Sequence, residues 1–404
     1  MRNDTLSIRA GLASGCLSLA LLSTLAAGAS AEEPSKVASS EQLAGWLSDL
    51  SDNEFLVRDT AMLNLIDAGR PSIAAIRSSI GGRGLEATSR ALYVLEQLGL
   101  SSDFDVQEEA RAALADLAAR KEMPQLARRA AGTLAVLTER RSAQAVVELQ
   151  TLGARIVYGQ DFNGFFAEEY IASVEIDADF RGTEQDLRRL QWLPDVRSLV
   201  LAGEKANDAW LKHAAAMDGL SELHLYEAAI TADGLGAIAE HNSLTQLGIY
   251  YMPIADAAIP HPQKLPALNF VKLYGTSVTR EGVEKFQATT GLAKVDHRKG
   301  AFLGVGCDNI DGMCLIATVH DNSPAQRAGL QPDDQVIRFG DSKVTDFDSL
   351  TAEISGRGVE DEVEIEVKRH GLDDDGNMNL QSVTLKVKLG PWERELAVRN
   401  GMRP

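Results

Sequence analysis

Five columns of apolar residues recur along the middle of the chain at a step of 24 residues. One runs Val196, Leu220, Leu244, Leu268, a second Leu199, Leu223, Leu247, Val271, and a third Leu201, Leu225, Ile249, Leu273. The fourth is Ala206, Ile230, Ile254, Val278 and the fifth Leu211, Leu235, Ile259, Val283. Five columns in one register require that equivalent residues occupy equivalent places in successive structural units. A unit of this length holds one strand and one short helical stretch, which cannot bury their apolar faces alone, so each unit must be walled by its neighbours. Leu292 and Val295 begin a further copy, and Val174 with Ile176 reads as the strand of an earlier one at a slightly different spacing.

Each unit reads L-x-x-L-x-L followed by a loop, which resembles a leucine-rich repeat and implies an α/β solenoid over residues 165–298. Where many such repeats place Asn to bond backbone carbonyls, this chain has Glu204, Ala228, Met252 and Thr276, so those carbonyls need other partners and the curvature stays open. Residues alternating with the buried pair face the concave surface of the sheet. One outward column is Ala202, Tyr226, Tyr250, Tyr274 and another is Val200, His224, Gly248, Lys272. Stacked tyrosines suit a protein interface, which makes Tyr226, Tyr250, Tyr274, His224 and Lys272 the candidate contact surface. A ladder that only stiffens the sheet is the other reading.

Ahead of the repeats, residues 41–153 carry apolar residues at helical spacing, as in Leu43, Trp46, Leu47, Leu50 and then Ala61, Leu63, Leu65, Ile66. Breaks are expected at Gly69-Arg70-Pro71 and at Gly81-Gly82-Arg83-Gly84. Further helices are expected near Ala87–Gln97, Val106–Ala119, Met123–Leu137 and Ala143–Leu152. Leu56-Val57-Arg58-Asp59-Thr60-Ala61, with Ala91 and Ala110-Arg111-Ala112-Ala113, resembles HEAT-type helical repeats. An ordinary helical bundle also fits this pattern.

Behind the repeats, Phe302-Leu303-Gly304-Val305 looks like the carboxylate-binding loop of a PDZ domain. Ser323-Pro324-Ala325 with Ala328-Gly329-Leu330 looks like that family's Ser-Pro-Ala-x-x-Ala-Gly-Leu turn, and Asp334-Gln335-Val336-Ile337 then Phe347-Asp348-Ser349-Leu350 fit its strand and groove helix. The order is similar to PDZ domains of bacterial periplasmic proteases, with Asp333 where the family prefers Gly. The resemblance implies an α+β domain over residues 300–393 that binds proteins or peptides with a free, apolar carboxyl terminus by strand addition. Gly304 would let the anion approach the backbone. Phe302, Leu303 and Val305, with Phe347, Leu350 and Ile354 across the groove, would bind the peptide, although Leu350 and Ile354 could equally face only the core. The whole chain therefore reads as multi-domain: an all-α helical repeat, an α/β solenoid, then an α+β domain, with a tail over 394–404.

Arg2 and Arg9, the apolar run Ala10–Ala29 and the small residues Ala29-Ser30-Ala31 have the order of a cleaved signal peptide spanning 1–31, followed by a linker over 32–40. Export to the periplasm or beyond is expected, with no membrane span in the mature chain. A formal charge of -18 would repel nucleic acid and anionic lipid. In an exported chain Cys307 and Cys314 would be able to pair across a hairpin, and two separate core thiols fit equally well. No cofactor or metal site is expected. Asp373-Asp374-Asp375-Gly376-Asn377 has Gly at the wrong place for a calcium loop and no closing Glu. Neither G-x-S-x-G, H-E-x-x-H nor a Walker loop occurs, so no enzyme is expected. The leading expectation is an exported adaptor or scaffold. Its rivals are an accessory subunit that delivers substrates to a separate protease and an unfamiliar enzyme.

Overall fold

The computed structural model describes residues 38–163, 166–290, 294–310, 312–372 and 378–394. The amino-terminal segment 1–31, Asp373–Asn377 and the tail from residue 395 lie outside the described residues. No helix among those described is long and apolar enough to cross a membrane.

The first third is helical: α1 (Ser40–Asp49), α2 (Phe55–Asp67), α3 (Arg70–Ser79), α4 (Leu85–Gly99), α5 (Phe104–Ala118) and α6 (Pro124–Thr151). Local chemistry sets the starts. Ser39 and Gln42 form a reciprocal capping box before α1, and the Asp103 carboxylate accepts the N–H groups of Asp105 and Val106 before α5. Pro71 and Pro124 sit in the first turns of α3 and α6, where the missing N–H costs nothing. Alternate helices pack on one another, α1 on α3, α2 on α4, α3 on α5 and α4 on α6. Two expectations are corrected here. The helices expected over Met123–Leu137 and Ala143–Leu152 are one helix of 28 residues, because the polar stretch between them has neither Gly nor Pro and Arg141 turns inward at 4% exposure. Leu63, expected among the buried positions, is 55% exposed while Ala61 and Leu65 are buried.

The middle third is a seven-stranded sheet. β1 (Arg155–Asn163) pairs antiparallel with β2 (Phe166–Ile176), so the sheet starts before residue 165. β2 then leads a parallel run through β3 (Ser198–Ala202), β4 (Glu222–Tyr226), β5 (Gln246–Tyr250), β6 (Phe270–Tyr274) and β7 (Lys294–Arg298). The register follows the sequence columns: Leu199 faces Leu223, Leu223 faces Leu247, Leu247 faces Val271, and Val271 faces Val295. On the return side each coil carries a helical piece, α7 (Asp208–Ala215), α8 (Arg280–Thr290) or a 3-10 turn.

Two devices tie neighbouring coils together. Each strand ends in a left-handed residue at the same step, Gly203, Glu227, Tyr251 and Gly275, whose N–H donates to the carbonyl of Tyr226, Tyr250, Tyr274 or Arg298 in the next coil. On the return side, the Asp208 carboxylate accepts the Thr231 N–H and hydroxyl at 2.8 and 2.7 Å, and Asp256 holds Thr279 at the same two distances.

The last third holds β8 (Ala301–Phe302), β9 (Val305–Ile310), β10 (Met313–Val319), α9 (Pro324–Ala328), β11 (Gln335–Phe339), β12 (Ser342–Lys343), α10 (Phe347–Ser355), β13 (Glu362–Leu372), β14 (Met378–Lys388) and β15 (Gly390–Pro391). Its main sheet runs β14-β13-β11-β10-β9, with β12 beside β11, while β15 and β8 form a separate two-stranded ribbon. One apolar core runs unbroken from Leu43 to Phe286, so the helices and the coils share an interior. The carboxy-terminal unit has its own core, from Ala301 to Leu389.

Burial separates two leucines that sequence periodicity treats alike. Leu247→Ala, at 1% exposure, is expected to cost about 2–5 kcal/mol in urea unfolding, and Leu63→Ala less than about 0.5 kcal/mol. Equal costs for the two would contradict the stacking of the coils.

Candidate functional site

Between β8 and β9 the backbone turns through Leu303 and Gly304, with Gly304 at φ 87°. The turn is fastened by its carbonyls: Leu303 O accepts from the Ala325 N–H at 2.9 Å and Gly304 O from the His320 N–H at 2.9 Å. Among the described residues the N–H groups of Leu303 and Gly304 donate to nothing. Two adjacent N–H groups left over on a left-handed glycine turn form a small anion nest. A side chain has no room there, since a Cβ on Gly304 would lie 2.2 Å from Ser323 Cβ. Ser323 itself is fixed as the cap of α9, accepting from the Gln326 N–H.

β9 leads away from this turn as the last strand of its sheet, with one edge unpaired among the described residues, and α10 lies against it. Such an edge is a template for one more strand. α10 starts at a capping box between Asp346 and Ser349, and backbone and side-chain hydrogen bonds from Ser349 hold the Asp346 carboxyl below its usual range. Asp333, in the position where Gly was expected, sits at φ 69°. The neighbouring Asp334 is fully buried and takes two hydrogen bonds of 2.7 Å from Arg369, which ties β13 to that turn.

The sequence-derived groove residues divide. Val305 and Phe347 are partly exposed and pack on the domain's core, as does Cys307, which was not among the expected groove residues. Leu303, Leu350 and Ile354 are buried at 2%, 0% and 9% exposure and belong to that core. Phe302 points the other way, with its ring 4.6 Å from that of Trp392. Cys307 and Cys314 are free thiols. They are diagonal neighbours on one sheet face, Cys307 opposite Ile316 and Cys314 opposite Asn309. A hydrogen bond with Cys314, together with burial, pushes the Cys307 thiol up.

The expected contact surface on the long sheet is corrected. Tyr250 and Tyr274 are 0% and 1% exposed and His224 and Lys272 1% and 2%, with Tyr226 half-buried. The chain's own carboxy-terminal unit covers the aromatic column. Tyr226, Tyr250 and Tyr274 follow one another at centroid spacings of 5.9 and 5.5 Å, the second pair edge to face, and Trp392 continues the row 5.7 Å from Tyr274. The Arg298 guanidinium, held by Asp296, lies 5.1 Å from the Tyr274 ring and 5.3 Å from that of Trp392.

Tyr251, which no periodic pattern singles out, closes this contact. Its hydroxyl donates to Gly300 O and accepts from the Trp392 N–H, both at 2.7 Å, so one oxygen holds both ends of the carboxy-terminal unit. Tyr226 adds a 2.6 Å bond to Trp392 O, and Trp392 Nε1 one of 3.1 Å to Ala301 O. Gly275 and Gly300 make room, since a Cβ on either would lie within 3 Å of the Tyr251 ring. The one available signal was a bulky residue at the left-handed position that Gly203 and Gly275 fill in other coils. Burial raises the Tyr251 hydroxyl to about 12, so it stays neutral and can donate and accept at once.

Among known families, the PDZ domain matches residues 301–387, so the chain carries a PDZ domain there. No curated protein matches the chain. Solved structures similar to this stretch include the HtrA-type protease AlgW with decapeptide, at 19% identity over 28% of this chain and 35% of that one, TM-score 0.21. Another is the PDZ domain of a carboxy-terminal protease from Vibrio cholerae in complex with peptide, at 16% identity over 23% of this chain and 97% of that one, TM-score 0.19. The chain spans about a third of the length of the AlgW structures it matches.

Tyr251→Phe leaves Gly300 O and the Trp392 N–H unpaired and is expected to cost roughly 1–3 kcal/mol in urea unfolding; an unchanged midpoint would remove the hydroxyl from its place as the fastener. Lys272 gives a pH signature. Burial lowers its ammonium to about 8, with Asp296 opposing, whereas the unfolded value is ~10.4. Between these two values the unfolded chain holds the extra proton, so stability rises with pH there. The stability of the parent minus that of Lys272→Met is therefore expected to climb from pH 8 to 10, and a flat or falling difference would contradict the assignment.

Proposed function

We propose that the chain is an exported, non-catalytic adaptor or scaffold whose PDZ groove takes the free, apolar carboxyl terminus of a partner protein. The observation that carries this reading is the pair of undonated N–H groups on Leu303 and Gly304 beside the unpaired edge of β9. A terminal carboxylate would sit on those N–H groups while the preceding residues pair with β9 as an added strand. Val305, Cys307 and Phe347 would touch the last side chains. Burial reserves Leu350 and Ile354 for the floor beneath them.

The sheet in front is read as a stack of leucine-rich repeats, supported by the 24-residue register from Leu199 to Val295. The helices are read as HEAT-like, supported by packing between alternate helices. In this reading the tyrosine column serves the protein internally and sets the attitude of the groove. Export rests on the order of charged, apolar and small residues over 1–31.

The test uses a peptide with an apolar last residue, once as the free acid and once amidated. Burial of one Val or Leu contributes ~1.5–3 kcal/mol, the strand bonds add ~1 kcal/mol each, and association offsets several of these. A dissociation constant on the order of micromolar is expected for the free acid. Amidation is expected to weaken binding by at least ~1.5 kcal/mol, the scale of a hydrogen bond to a charged group, and Gly304→Val to do the same. Equal calorimetric titrations for acid and amide would end the carboxylate reading.

A further inference from the structure

A second site lies away from the PDZ groove, where the helices meet the first coil. A cavity of about 570 Å3 opens there between the α4–α5 turn and α6, walled by Ser101, Ser102, Gln107, Arg141, Gln144 and Arg189. Its chemistry is out of balance. Arg141 is 4% exposed and its Nη1 donates to Gln144 Oε1 at 2.9 Å, while its Nε has no acceptor. Arg111, one turn beyond Gln107 on α5, also has a buried Nε without an acceptor. The two guanidinium carbons lie 5.8 and 5.7 Å from the ring of Trp192, whose own Nε1 is buried and undonated. Against these three orphan donors stands one orphan acceptor, Gln107 Oε1.

Charge points the same way. Among the described residues neither Arg111 nor Arg141 has a carboxylate within ion-pair distance. The nearby acids are already engaged: Glu148, on the cavity wall, and Asp186 both pair with Arg189. Arg188 is taken by Asp105 and Glu108. The indole face compensates a buried cation only in part, and a buried charge is retained where something pairs with it. Burial, with Glu148 opposing, lowers the Arg141 guanidinium. Arg141 lines the cavity and brings to its wall a buried cation with no carboxylate partner, which calls for an acceptor-rich anion. The size suits a small ligand.

We propose that this cavity binds a small oxyanion, a carboxylate or a phosphate group, against the Arg141 guanidinium. Binding there is independent of the PDZ groove and would tie α5, α6 and the Glu184–Trp192 turn together at the junction of helices and coils.

The test is calorimetric titration of the full chain with inorganic phosphate and with acetate, ionic strength held constant with chloride. Saturable one-site binding of either ion is expected, and the ion that binds identifies the oxyanion class. Arg141→Met, which keeps an unbranched apolar stem but removes the guanidinium and its charge, is expected to weaken that binding at least ten-fold. Glu148→Gln removes the negative charge from the wall and is expected to tighten it about three-fold or more, a readout that stands even where Arg141→Met does not fold. No saturable heat from either ion, binding in Arg141→Met equal to the parent, or weaker binding in Glu148→Gln would each overturn the proposal.

Discussion

The attachment of the PDZ domain to the rest of the molecule centres on one part-buried hydroxyl, seconded by the Tyr226–Trp392 bond and the Arg394–Asp177 ion pair. Tyr251 occupies a left-handed backbone position, which costs a non-glycine residue about 1–2 kcal/mol, and in return its oxygen reaches Gly300 and Trp392 together. Strain of this kind persists where surroundings over-determine it. Here those surroundings are two glycines that clear space for the ring and an aromatic stack that fills what is left. The PDZ domain, which has its own core, is thereby seated on the sheet through a small, hydrogen-bonded aromatic contact.

That seating changes what the tyrosine column means. Sequence periodicity places Tyr226, Tyr250 and Tyr274 on one face but cannot say what lies over that face. A row of large amphipathic rings reads the same whether its partner is another protein or a segment more than a hundred residues further along the same chain. Trp392 was invisible as the partner because it follows β15 as a single aromatic in a non-repeating stretch. His224 is buried among residues of the sheet itself, beside Tyr250 and Glu222.

Other parts were legible because they are local or periodic. The register from Leu199 to Val295 follows directly from columns 24 residues apart, since parallel stacking maps equal spacing onto equal position. The turn at Gly304 was legible because it needs a residue type with little competition. Leu350 and Ile354 were not resolvable between groove and core, because residues one helical turn apart share a face whichever of the two it meets. α6 was misread as two helices because a polar interval resembles a break until Arg141 is seen to turn inward on Trp192. The imbalance of donors around Arg141 has no sequence signature at all, as it exists only where α5, α6 and the turn at Trp192 converge.

The closure at Tyr251 also fixes how mechanical load would travel. Tension along the backbone would enter the PDZ domain at Gly300 and leave it at Trp392, two points held by a single oxygen. The shortest route between them runs across the clamp and bypasses β9 and α10 altogether. While these contacts hold, such a load is borne by the Arg394–Asp177 ion pair, the Trp392 contacts and Tyr251. Once they yield, the covalent chain at Gly300 is what joins the domain to the sheet, and the domain keeps its own core.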